Sequence, residues 1–158
     1  MEIRRFTDAD ATQVSEMIAR SLRVSCVKDY GEGPIESLIQ RMQPKDMRYR
    51  AAHTHFFVAE ENGRIVGCGA IGPYRDSKTE SCLFNVFVDP AFQRRGVGRA
   101  IVEALEADAL AKGSERIEVH ASITGKPFYH ALGYTASLKH QQPDREGLYL
   151  LEKIRTPE

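Results

Sequence analysis

No stretch of this sequence approaches the eighteen or so consecutive apolar residues that a membrane-spanning helix needs. Charge excess is missing too: Lys plus Arg and Asp plus Glu number 22 each. Polyanions and anionic bilayers are bound through a basic surplus, so this balance points away from nucleic acid and membrane as partners. Cysteine is scarce. Cys26, Cys68 and Cys82 are odd in number, far apart and outside any C-x-x-C pair, the pattern of reduced thiols rather than of a disulfide framework. The opening residues Met1-Glu2-Ile3-Arg4-Arg5-Phe6 carry no apolar stretch of the signal-peptide kind, so a cytoplasmic location is expected. Repeats, low-complexity tracts and linkers are absent as well. Residues 1–158 therefore read as one domain, long enough to bury about two-thirds of its unfolded surface.

What is present interleaves strand and helix signals. Ile3 to Phe6 reads as a strand, and Thr7 with Asp10 three residues on reads as a helix start. Val14, Met17, Ile18 and Leu22 then make one apolar helix face. Pro34 is placed at the first position of a second helix carrying Ile35, Leu38, Ile39 and Met42. The polar, basic stretch from Pro44 to Ala52 reads as a loop with room for a short helix. His55 to Glu60 and Arg64 to Ile71 flank Asn62-Gly63, a type I′ hairpin signal. Gly67, Gly69 and Gly72 thin the second of these strands and leave space for something to approach its face.

Glu80 to Val88 is the next strand, stopped at Pro90 and followed by Gln93-Arg94-Arg95-Gly96-Val97-Gly98-Arg99. That segment opens into a helix marked by Val97, Ile101, Val102, Leu105 and Ala109, which ends at Lys112-Gly113. Arg116 to His120 alternates as a strand, Pro127 to Leu132 is a short helix closed by Gly133, and strands follow near Tyr134–Leu138 and Leu148–Ile154. The order predicts an α/β fold with a mixed sheet of about six to seven strands flanked by helices.

A glycine-spaced loop at a helix mouth directs backbone N–H groups outward where the helix dipole is positive, which makes an anion cradle suited to a pyrophosphate. Arg94, Arg95 and Arg99 add positive charge around it. The triphosphate P-loop is excluded because Arg99-Ala100 stands where its Lys-Ser/Thr pair belongs. The dinucleotide fingerprint fits poorly, with two glycines instead of three and a position past mid-chain. Gln93, Gly96 and Gly98 instead resemble the Gln/Arg-x-x-Gly-x-Gly/Ala coenzyme A loop of the GNAT N-acetyltransferase superfamily, and the Val88-Asp89-Pro90 strand end is similar to that family as well. A second, separate resemblance lies at Tyr129 and Gly133, spaced as in the family's aromatic-Tyr-x-x-Leu-Gly-Phe/Tyr segment.

That resemblance implies the GNAT fold over nearly the whole chain and acetyl-CoA as cosubstrate, with no metal. It implies that the backbone from Arg94 to Arg99 holds the pyrophosphate, that Phe87 and Val88 pair with the pantetheine arm, and that Tyr129 is the general acid for the departing sulfur. The acceptor is expected to be a small-molecule or peptide amine, and a homodimer is common among such proteins. The base is less defined. Glu80 lies near the family's usual glutamate, but the position that aligns most directly holds Cys82, which leaves Glu80 through a water, His120 or no dedicated base open. Asp29, Tyr30, Glu32 and Glu36, or Tyr74 and Asp76, would line an acceptor pocket. His53 and His55 read as ordinary polar positions, and His130 and His140 as surface residues. A non-catalytic acyl-CoA-binding or regulatory domain is the alternative.

Overall fold

The structure, a computed structural model, describes residues 1–138 and 142–158. His140 lies outside them. Among the described residues the strands are Glu2–Arg5 (β1), His55–Glu61 (β2), Arg64–Pro73 (β3), Glu80–Val88 (β4), Arg116–Ala121 (β5), Thr135–Ala136 (β6) and Tyr149–Ile154 (β7). The helices are Ala11–Ser25 (α1), Val27–Tyr30 (α2), Glu32–Gln40 (α3), Pro44–His53 (α4), Val97–Glu106 (α5), Ala109–Lys112 (α6) and Lys126–Ala131 (α7). The strands form one seven-stranded sheet in the order β1-β2-β3-β4-β5-β7-β6. Every neighbouring pair is antiparallel except β4 and β5, which run parallel.

Helices cover both faces because the strands are apolar on both. On one side Ile101, Val102 and Leu105 of α5 pack with Ile117, Val119, Tyr134 and Leu151. On the other, Val14, Met17 and Ile18 of α1 meet Phe56, Val58, Cys68 and Ala70, with Ile35 and Met47 joining from α3 and α4. The glycines of β3 serve the first of these layers. A β-carbon on Gly67 or Gly69 would stand 2.7 Å from Ile101, so what approaches this strand is α5. Asn62 and Gly63 both take positive φ, as a type I′ turn requires.

Several boundaries differ from the sequence reading. Thr7 precedes a short 3₁₀ turn, Asp8–Asp10, and α1 begins at Ala11; the Asp10 carboxylate accepts from the Thr7 backbone N–H at 2.8 Å and from both terminal nitrogens of Arg4. Helix α3 starts at Glu32, two residues before Pro34, which sits in the first turn where its missing N–H leaves no helical bond unmade. Pro44–His53 is a helix and not a loop: Pro44 occupies the first turn and the Asp46 carboxylate accepts from the Gln43 N–H at 2.9 Å. The helix expected to run from Val97 past Ala109 breaks after Glu106, where the Asp108 side chain caps Leu110 N–H and also meets His55 Nδ1 at 2.8 Å. The strand expected near Tyr134–Leu138 is reduced to Thr135–Ala136.

Candidate active site

The parallel ladder between β4 and β5 covers only Glu80↔Arg116 to Leu83↔Val119. From Phe84 to Val88 the edge of β4 on the β5 side has no ladder among the described residues, while its other edge stays paired with β3. The departure coincides with a bulge. Gly69 faces two residues, Asn85 and Val86, where the register slips between Cys68↔Phe87 and Ala70↔Phe84, and Asn85 takes φ +52°. A bulge increases local twist and bends its strand. A strand edge bare of partners offers N–H and C=O groups to an extended amide-bearing chain. Phe87 and Val88 lie on this segment.

At the end of β4 the Asp89 carboxylate accepts from Ala91 N–H at 3.0 Å and turns the chain through Pro90–Phe92. Arg20 and Arg64 also donate to Asp89, at 2.9 and 3.0 Å, which fixes the strand end. Beside this turn lies a hollow of about 400 Å³ lined by Arg20, Arg23, Arg64 and Pro90. Arg94 and Gly96 both take positive φ, and Gly96 is the N-cap of α5 with open space around any β-carbon it might carry. Its conformation, not crowding, calls for glycine there. The helical ladder starts with Ala100 N–H to Gly96 O, which leaves the N–H groups of Val97, Gly98 and Arg99 outside it. Val97 is buried beneath the helix, so only its backbone is open to a ligand. Gln93, Arg94, Arg95 and Arg99 are exposed; Arg99 reaches Glu103 at 3.6 Å and Arg95 lies over the Phe92 ring.

Helix α7 brings the second motif to the same place. A β-carbon on Gly98 would lie 3.0 Å from the Phe128 ring and 3.4 Å from Val88. Next to Phe128, Tyr129 is buried edge-on against both Phe128 and Tyr134. The Tyr134 hydroxyl donates to Glu106 at 2.9 Å, whereas the Tyr129 hydroxyl bonds to nothing among the described residues. Burial pushes the Tyr129 phenol well above its ordinary range. Burial likewise pushes Cys82 up to about 12, so it is a neutral thiol and a poor nucleophile at neutral pH.

Glu80 begins β4, roughly 10 Å along the strand from Leu83. It lies 3.9 Å from Arg116, which is also bound by Glu118 and Glu152. Arg116, Glu118 and His120 share one face of β5, opposite Ile117 and Val119. Glu118 is buried; despite desolvation, hydrogen bonds from His120 and Arg116 hold its carboxyl below the usual range. The His120 ring meets Glu118 at 2.9 Å and Asp144 at 3.3 Å, and the hydrogen bond to Glu118 raises its pKa despite partial burial. The sequence reading passed over Glu118, though a charged i, i+2, i+4 set within a strand was there to be seen. Of the residues expected to line an acceptor pocket, Asp29 accepts from Thr124, Tyr30 bridges Ile123 N–H and Gly147 C=O, and Glu36 pairs with Arg23. The ring of Tyr74 lies under Arg116. His53 ends α4, bonded to Tyr49 C=O, and His55 opens β2. His130 is exposed.

The family model described as an acetyltransferase (GNAT) domain matches residues 26–151, the span holding the bulged strand, the glycine loop and α7. The chain belongs to the GNAT family. Among curated proteins it is 30% identical to a glucosamine 6-phosphate N-acetyltransferase of Trypanosoma brucei brucei, over 72% of this chain and 80% of that protein. It is 26% identical to the Escherichia coli N-acetyltransferase YafP over 94% of this chain and 90% of that one. In fold it resembles the PaiA N-acetyltransferase of Thermoplasma acidophilum, solved with coenzyme A, with a TM-score of 0.84 at 17% identity and 98% of both chains covered. A Brucella melitensis GNAT protein solved with acetyl-CoA superposes with a TM-score of 0.66 at 20% identity, covering 99% of this chain and 89% of that one.

Proposed function

We propose that this chain is an acetyl-CoA-dependent N-acetyltransferase, acting on a primary amine of a small molecule or peptide by direct attack on the thioester. The observation that carries this reading is the packing of three segments against one another: β4 at Phe84–Val88, where it has left β5, the start of α5 at Val97–Arg99, and α7, with a β-carbon on Gly98 lying 3.0 Å from Phe128 and 3.4 Å from Val88. In this reading the pyrophosphate rests on the α5 amides, with Gln93, Arg94, Arg95, Gly96 and Arg99 around it. The pantetheine arm pairs along Phe87 and Val88. A strand N–H near the bulge polarises the thioester carbonyl.

The amine nitrogen attacks that carbonyl, the C–N bond forms, and collapse of the tetrahedral species breaks the C–S bond. Tyr129 gives its proton to the sulfur; raised above the range of a free thiol, it remains protonated until that moment. Glu80, acting through a water, takes the proton of the attacking amine. The buried thiols fit a reducing, cytoplasmic setting.

The engaged state of Glu80, Glu118 and His120 favours the alternative of a non-catalytic acyl-CoA-binding domain. CoA release from acetyl-CoA with a panel of primary amines separates the two. Amine-dependent turnover that falls about 10- to 100-fold in Tyr129→Phe supports the transferase. Tight acetyl-CoA binding without any amine-dependent release supports the binding domain.

A further inference from the structure

Helix α4 lays a guanidinium against the strand that carries the reaction centre. Arg50 Cζ stands 4.5 Å from the centroid of Phe84, the residue at which β4 leaves β5. Arg50 is part-buried, and among the described residues it has neither an ion pair nor a side-chain hydrogen bond. The carboxylates on the same face are spoken for: Glu80, Glu118 and Glu152 surround Arg116, and Asp144 joins Glu118 at His120. A cation withdrawn from water without a partner is costly, and it is tolerated where a ligand supplies the partner. Stacked on Phe84 the planar group keeps its edge donors free, the arrangement that grips a carboxylate or phosphate in bidentate fashion. Burial draws the Arg50 guanidinium below its ordinary range, with the Cys82 thiol among the groups that act on it.

A second open group stands beside it. Among the described residues the buried Asn85 Oδ1 accepts no hydrogen bond, while its Nδ2 is directed to Met42 Sδ at 3.2 Å. A neutral acceptor next to the thioester position suits an amine N–H.

We propose that Arg50 is an anion receptor in the acceptor site, so that the amine acetylated here also carries an anionic oxygen group, a carboxylate or a phosphate, with Asn85 Oδ1 accepting from its nitrogen. This rests on the acetyltransferase reading for the identity of the bound molecule, but not for the receptor itself. The two are tested apart. The Arg50 Nε–Hε resonance, assigned by its loss in Arg50→Lys, is followed in the CoA-loaded protein during titration with inorganic phosphate and with sodium acetate. A saturable shift with phosphate identifies a phosphate-bearing acceptor, one with acetate a carboxylate-bearing acceptor. An Arg50 signal unmoved by either anion overturns the receptor.

Turnover is then compared for ethanolamine, β-alanine and O-phosphoethanolamine. Wild type should favour one of the anionic amines over ethanolamine by about 10- to 100-fold in kcat/KM, the range of a charge-assisted hydrogen bond. That ratio should fall toward one in Arg50→Gln and be partly kept in Arg50→Lys. Acetylation of ethanolamine and the anionic amines at equal rates overturns the receptor while leaving the transferase standing. A responsive Arg50 with no amine acetylated does the reverse.

Discussion

Gly98 and Phe128 occupy each other's space: the ring lies 3.0 Å from where a β-carbon on the glycine would be. This contact joins the two sequence segments that resemble the GNAT pattern, the glycine loop and the start of α7, into one packed unit. Gly98→Ala should therefore destabilise the fold by about 1–3 kcal/mol through overpacking, measured by denaturant unfolding. Most of that loss should vanish in a Phe128→Leu background. Equal losses in both backgrounds would show that the two residues are not coupled.

Asp10 ties β1 to the start of α1 by accepting from Arg4 and from Thr7 N–H. The Arg4 hydrogen bonds outweigh desolvation and hold its carboxyl below the ordinary carboxylate range. A depressed folded pKa means stabilisation that is full above about pH 4, the unfolded value, and lost as pH falls through the folded one. Asp10→Asn should cost about 1–3 kcal/mol at pH 7, and the gap from wild type should close under acid. A gap that stays constant down to pH 2 would contradict this.

His120 has the opposite sign. Its pKa is raised, chiefly by Glu118, so its stabilising contribution is full below about 6.5 and disappears as pH rises through the folded value. Proton NMR of the ring should give an apparent pKa above that of a free histidine, and Glu118→Gln should lower it. A midpoint at or below about 6.5 in wild type would contradict the Glu118 hydrogen bond.

Short-range chemistry was the legible part of this fold. Asn62-Gly63 needs only its own backbone to form a hairpin turn, and Val14, Met17, Ile18 and Leu22 show their buried face through spacing alone. Helix α4 was harder because Met47 is its one buried residue, so no apolar period marks it; only Pro44 and the Gln43–Asp46 cap announce it. The break before α6 carries neither glycine nor proline. Its one local mark is the Asp108 cap on Leu110 N–H, and the same carboxylate also meets His55, a contact made across the fold. At the site, Gln93, Gly96, Gly98 and Tyr129 stood out because their spacing is local. The partners of Glu118 and the isolation of Arg50 depend on strand register and on which helix covers which face, and no local pattern encodes either.

The central claim is that acetyl-CoA binds along the bare edge of β4 with its pyrophosphate at the mouth of α5. Titration of the ¹⁵N-labelled protein with acetyl-CoA, followed by amide chemical shifts, tests it most directly. The largest shifts should fall on Gly96–Ala100 and on Phe84–Val88. Shifts centred instead on the hollow lined by Arg20, Arg64 and Pro90, or no saturable shift at all, would contradict it.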